Sequence, residues 1–187
     1  TYLSGGKATK KLDASFQYDI FEAKEQYPKE NTVRFRIQHV TGKDTSIVEG
    51  TYLYLNKKGM FFWADDAVRE MEDKAHQRGL ALPIYKGRTW KSKVQGDEKG
   101  EMKCVAVDTM VQTNVGEMKA FVVQTVNDMG NIKVVQNDYY AQGIGKIKMH
   151  TEIFRVLGKG MPDIKVQEEI LVLSEYHLPE SFKNRKK

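Results

Sequence analysis

The sequence predicts a mainly β protein, an antiparallel curled sheet of roughly ten strands left unclosed, with one helix at about residues 65–78. Two patterns point to strands. Apolar residues alternate with polar ones through most of the chain, and Gly, Asn and Asp clusters interrupt that alternation about every ten residues. A third observation isolates the helix: only between Asp65 and Arg78 does the apolar period change.

Phe16, Tyr18 and Ile20 alternate with polar neighbours, as do Val33, Phe35 and Ile37. Leu53 and Leu55 share one strand face and Tyr52 and Tyr54 the other. Each is the signature of a half-buried antiparallel strand. Asn56-Lys57-Lys58-Gly59 reads as a hairpin loop into a strand at Met60–Trp63, apolar on both faces. In the helical segment Val68, Met71 and Ala75 fall at helical spacing. Asp65 or Asp66 supplies a cap, and Gly79 stands where a helix commonly ends. Leu80–Ile84 is extended, because the residue before Pro83 avoids the α region. Strands then follow from Trp90, over Met102–Thr113, Glu117–Val126, Ile132–Tyr140 and Ile147–Ile153, and from Val166. The links at Asn114-Val115-Gly116, Asn127–Gly130 and Gln142-Gly143 are turns. On the Ile147 strand, Ile147, Met149, Thr151 and Ile153 face one way and Lys146, Lys148, His150 and Glu152 the other.

A chain of 187 residues with 40% hydrophobic and 29% charged residues is neither disordered nor a helical membrane span. The formal charge of +5 belongs to the ends: residues 12–179 carry 23 bases against 24 acids. The expected organisation is one domain, 12–179, between basic tails 1–11 and 180–187. With no basic stripe inside the domain, nucleic acid is not an expected partner. The longest apolar run, Met60–Ala64, is far short of a membrane helix, so no span is expected. The abrupt start at Thr1 suggests a trimmed export signal.

Four ordered patterns carry a resemblance: Leu82-Pro83-Ile84 with Gly87-x-x-Trp90; Val111-x-Thr113-x-x-Gly116-x-Met118; Tyr139-Tyr140-Ala141-x-Gly143-Ile144-Gly145; and the final strand Glu168–Leu173. Over about residues 80–175 the chain resembles a group of exported bacterial proteins of unknown function with a lipoprotein-carrier-like half-barrel. In many of those proteins a proline stands at the position of Asn114 and a phenylalanine at that of Met118. The resemblance implies an unclosed half-barrel curled round a helix and a periplasmic or otherwise extracytoplasmic address. It implies no catalytic residues. Physically, Gly143 and Gly145 around Ile144 mark a bulge or close backbone approach in a strand.

Reactive groups are sparse. Glu72 and His76 share a helix face, but two ligands do not make a zinc site, so no metal or cofactor is expected. Cys104 alternates with Met102 and Ala106 and reads as a buried small hydrophobe. No nucleophile elbow, phosphate loop or dinucleotide fingerprint is present. The expectation is a non-enzymatic exported domain of the cell envelope that binds an apolar ligand, a lipid or acyl chain, or a partner protein. Its candidate ligand-binding residues are Phe61, Phe62, Trp63, Val68, Met71, Trp90, Tyr139 and Tyr140. The alternative is a structural or interaction module with a solid core; a hydrolase with a dispersed site ranks third.

Overall fold

The computed structural model describes residues 2–4, 7–10, 15–22, 32–41, 44–64, 77–93, 99–158 and 160–176, with side chains over 57–61, 78–91, 101–158 and 160–176. Thirteen strands are found there: β1 (Tyr2–Ser4), β2 (Lys7–Lys10), β3 (Ser15–Glu22), β4 (Thr32–Thr41), β5 (Asp44–Asn56), β6 (Gly59–Ala64), β7 (Gln77–Ala81), β8 (Thr89–Lys93), β9 (Lys99–Thr113), β10 (Gly116–Asp128), β11 (Ile132–Ala141), β12 (Gly145–Arg155) and β13 (Ile164–Val172). They form two open sheets rather than one. The larger has the order β2-β1-β13-β12-β11-β10-β9-β8 and the smaller β3-β4-β5-β6-β7. Strand pairings are antiparallel throughout those with a defined register. By contact the chain divides into two compact units, one including β1, β2 and β10–β13, the other including β3–β7.

The long hairpins follow the alternation read from the sequence. Three differences have local causes. The predicted helix at 65–78 lies outside the described residues as far as 76, but its last two residues are strand. Gln77 pairs with Phe62 and Arg78 with Phe61, the Arg78 guanidinium lying 5.3 Å from the Phe61 ring centre. Gly79 is not a helix terminus; the β6–β7 register skips it, so it is the extra residue of a bulge. No helix occurs among the described residues. The predicted basic tail at 1–11 contains β1 and β2, and Tyr2 pairs with Gln167 at the β13 edge. Gly143 is not in a strand but in the β11–β12 turn, Gln142–Ile144, closed by the Ile144 amide donating to the Ala141 carbonyl at 3.3 Å, and Gly145 is the first residue of β12, paired with Ala141.

The bulge in this hairpin sits just beyond the turn. Tyr139 pairs with Lys148 but Tyr140 with Lys146, which leaves Ile147 unopposed on β12. Ile147 is almost fully buried and packs with Val111, Ala120 and Ala141, bordered by Met118, Tyr139, Ile144 and Leu173. Leu173 closes this end: its amide donates to the Ile147 carbonyl at 2.9 Å and its carbonyl accepts from Asn114 at 3.2 Å. Val123 and Cys104 are fully buried, and burial pushes the Cys104 thiol pKa up.

In the smaller sheet, the two-residue turn Lys57-Lys58 joins β5 to β6, and Asn56 pairs with Gly59. Gly59 has φ +152°, and a Cβ there would collide with the Leu80 carbonyl oxygen. Gly130, at φ +80° in the β10–β11 turn, has open space around it. Gly130→Ala should therefore cost only the left-handed conformation, about 1–2 kcal/mol. Gly59→Ala should cost about 3 kcal/mol or more, because backbone must also move. Urea unfolding of the two variants checks this; equal losses would refute the steric argument.

Candidate functional site

Register and alternation assign the side chains of β10–β13 to two faces. On one face the rows run Val122–Tyr139–Lys148–Val172, Gln124–Asn137–His150–Ile170 and Val126–Val135–Glu152–Glu168. On the other they run Phe121–Tyr140–Lys146, Val123–Asp138–Met149–Leu171, Thr125–Gln136–Thr151–Glu169, Asn127–Val134–Ile153–Gln167 and Ile132–Arg155–Ile164.

The first face carries a polar network. Gln124 donates its amide to Asn137 at 3.1 Å. In the adjoining strands His150 Nε2 lies 2.9 Å from Glu168 Oε1, and Lys165 Nζ reaches Glu152 at 3.1 Å and Glu168 at 3.3 Å. Glu152 and Glu168 are directly opposite, an arrangement of like charges that destabilises a sheet unless a cation intervenes. Lys165 is that cation. A second bulge makes the approach possible: Ile153 pairs with Gln167 and Phe154 with Lys165, so Val166 is passed over. Hydrogen bonds from His150 and then Lys165 hold the Glu168 carboxyl below the usual range, and its bonds to Glu152 and Glu168 raise the Lys165 pKa. His150, Glu152 and Glu168 offer ligand atoms within 4.8 Å of one another. A metal ion would have to displace Lys165 from both carboxylates to be held there.

The second face has its own ion pair. Asp138 is buried, 3.1 Å from Lys146 Nζ, and accepts from Gln136 Nε2 with both oxygens at 3.1 and 3.0 Å. Above it the Phe121 and Tyr140 rings stack at 5.3 Å, and Lys146 lies 5.8 Å from the Tyr140 ring centre. Strict alternation expects Lys146 beside Lys148, His150 and Glu152. The Ile147 bulge instead turns Lys146 to the opposite face, while Lys148 stays and lies 5.3 Å from the Tyr139 ring centre.

Of the candidate ligand residues, Phe61, Trp90 and Tyr140 are buried, at 5%, 6% and 8% exposure. Trp90 Nε1 has no hydrogen-bond partner. Tyr139 and Tyr140 occupy opposite faces of β11 and line no common groove. The side chains of Phe62 and Trp63, and residues Val68 and Met71 altogether, lie outside the described residues.

Exposed apolar side chains collect elsewhere, at the end of β10–β13 made by the β10–β11 turn and the β12–β13 connection. Met129, Ile132, Leu157, Met161 and Ile164 are all exposed there, and Val126 is exposed nearby on the other face of the sheet from Ile132 and Ile164. The connection is tied to the turn by the Val156 amide, which donates to the Asn131 carbonyl at 2.9 Å. Sequence reasoning passes over this cluster because its members are scattered single residues in alternating strands and loops. Only the register gathers them.

No protein-family model, curated protein or solved structure matches this chain.

Two outcomes test the electrostatics. Lys146→Met should destabilise the protein by about 1–3 kcal/mol by leaving the Asp138 carboxylate buried without its cation, a buried-pair loss reduced for the partial exposure of Lys146. Adding Asp138→Asn should restore most of that in chemical unfolding, and additive losses would contradict the pairing.

Glu168 has a lower pKa folded than unfolded, so its contribution is present above its unfolded value and lost as pH falls through the folded one. Lys165 is the mirror case: its contribution is present below its unfolded value and lost as pH rises through the folded one. Glu168→Gln should flatten the acid limb of a stability-versus-pH curve below about pH 4–5, the ordinary carboxylate range. An unchanged limb would show that the network adds nothing.

Proposed function

We propose that this chain is a non-enzymatic, exported cell-envelope domain that binds an apolar ligand or partner protein. The observation that carries this reading is the set of five exposed apolar side chains, Met129, Ile132, Leu157, Met161 and Ile164, at one end of β10–β13. Exposed apolar side chains concentrated at one end of a folded domain suit ligand or partner contact. Here the exposed residues belong to the turn at Met129–Asn131, the ends of the strands beside it, and the described residues between β12 and β13.

The polar clusters support a non-catalytic assignment because their members neutralise one another. Lys165 is shared by Glu152 and Glu168, Asp138 is held by Lys146 and Gln136, and Gln124 is bonded to Asn137. A general acid or base must instead present a poised group to substrate. The envelope address rests on the resemblance carried by Tyr139-Tyr140-Ala141-x-Gly143-x-Gly145. A second reading, an interaction module with a filled core and no small-molecule site, draws support from the burial of Phe61, Trp90 and Tyr140.

Native mass spectrometry of protein purified from its own host tests the binding reading. A co-purified apolar ligand or protein is expected. Its release by Ile132→Lys with Ile164→Lys, with unfolding midpoints preserved, would place it on this end. A ligand-free, partner-free protein whose behaviour with apolar fluorescent probes is unaffected by those substitutions would refute the assignment.

A further inference from the structure

The row Ile132–Arg155–Ile164 combines two features that no other row of β10–β13 combines. Ile132 pairs with Arg155, and Arg155 with Ile164, so the three side chains stand side by side on one face. Both isoleucines are exposed, at 40% and 51%, and Arg155 is exposed between them. The next row inward sets Val134 beside Ile153, both half-buried. With strands about 4.8 Å apart and alternate residues about 7 Å apart along a strand, this makes an apolar strip about 10 Å wide with one cation at its outer margin.

Arg155 also stands apart from the other cations of this sheet. Lys165, Lys133, Lys146 and Lys119 each contact a carboxylate, and Lys148 lies over the Tyr139 ring. Arg155 contacts no carboxylate among the described residues. The two acids closest in sequence to this end are engaged elsewhere: Asp163 with Lys133 at 3.4 Å, and Asp128 with the Gly130 amide at 3.0 Å. A guanidinium offers five donors in a planar fork that matches a carboxylate, and its weak hydration suits an apolar border.

We infer that this strip binds a single-chain anionic amphiphile, its carboxylate on Arg155 and its acyl chain over Ile132, Ile164, Val134 and Ile153. The inference rests on the binding reading above and adds the charge of the ligand. Charge complementarity selects the occupant: an uncharged chain leaves the guanidinium facing its apolar body, and a cationic one is repelled.

The test compares one chain length with three head groups. Decanoate, decanol and decyltrimethylammonium are titrated into the full chain by calorimetry, with acetate as the head group alone. Decanoate should bind about tenfold more tightly than decanol, since a charge-assisted bidentate contact is at stake; the cationic amphiphile should bind most weakly and acetate undetectably. Arg155→Gln should bring decanoate down to the level of decanol, with circular dichroism and an unchanged unfolding midpoint reporting that the variant is folded. Arg155→Lys should retain an intermediate preference. Equal affinity of decanoate and decanol for the unaltered protein, or a preference that survives Arg155→Gln, would overturn the inference and leave the apolar site standing. Failure of all three amphiphiles to bind would overturn both.

Discussion

The arrangement of charges on the larger sheet depends on one unopposed residue. A strand alternates its side chains with a period of two, so inserting one residue reverses every assignment on one side of it. Ile147 is that residue. Beyond it, toward Arg155, Lys148, His150 and Glu152 share a face, as plain alternation requires. Before it, Lys146 is reversed, and the reversal delivers an ammonium to Asp138, a carboxylate otherwise buried with only an amide for company. The bulge also drives Ile147 inward among Val111, Ala120 and Ala141, where a fully buried aliphatic side chain contributes about 1.5–3 kcal/mol. Packing of one side chain and neutralisation of another therefore share a cause.

The same logic governs the opposite end of these strands. Passing over Val166 lets Lys165 meet both Glu152 and Glu168, so this directly opposed acid pair is bridged. Both faces thus carry polar groups in mid-sheet: the Asp138, Glu152 and Glu168 carboxylates are each paired with a lysine, whereas the buried Thr151 hydroxyl has no hydrogen-bond partner among the described residues. A half-satisfied network is costlier than none, because each unpaired group retains its desolvation penalty. In these networks each paired carboxylate meets its lysine across neighbouring strands or past a bulge. Among the described residues, apolar side chains at the strand ends stay exposed, and Arg155 contacts no carboxylate.

Much of the larger sheet is legible in the sequence because its strands are joined by short turns with recognisable chemistry. Asn114-Val115-Gly116, Asn127–Gly130 and Gln142-Gly143 each fall where a hairpin turns. The misread features are those that local pattern does not encode. A bulge is invisible until two strands are aligned, so Lys146 was assigned to the wrong face and Gly79 to a helix end. The strands at 2–4 and 7–10 are too short to show a period, and they join the sheet through pairing with the distant β13. The aromatic residues suggest a ligand surface by type, yet Phe61, Trp90 and Tyr140 are drawn into packing. The exposed apolar end is a set of isolated residues in sequence and becomes a surface only through register.

An open sheet also has to protect its outer strands, and this gives the basic N-terminus a structural meaning. Unpaired backbone at an edge invites pairing with another chain, and lysine is the side chain most often placed there to prevent it. The larger sheet ends on β2 and β8. β2 contains Lys7 and Lys10 in four residues, and β8 contains Lys91 and Lys93 in five. The two outer strands of an eight-stranded sheet are thus marked with the same charge, although they come from distant parts of the sequence. Like charges on the two edges oppose the joining of one molecule's β2 edge to another's β8 edge, the contact that would propagate a sheet without limit. The positive charge that composition alone assigns to a tail is, over residues 7–10, part of an edge strand.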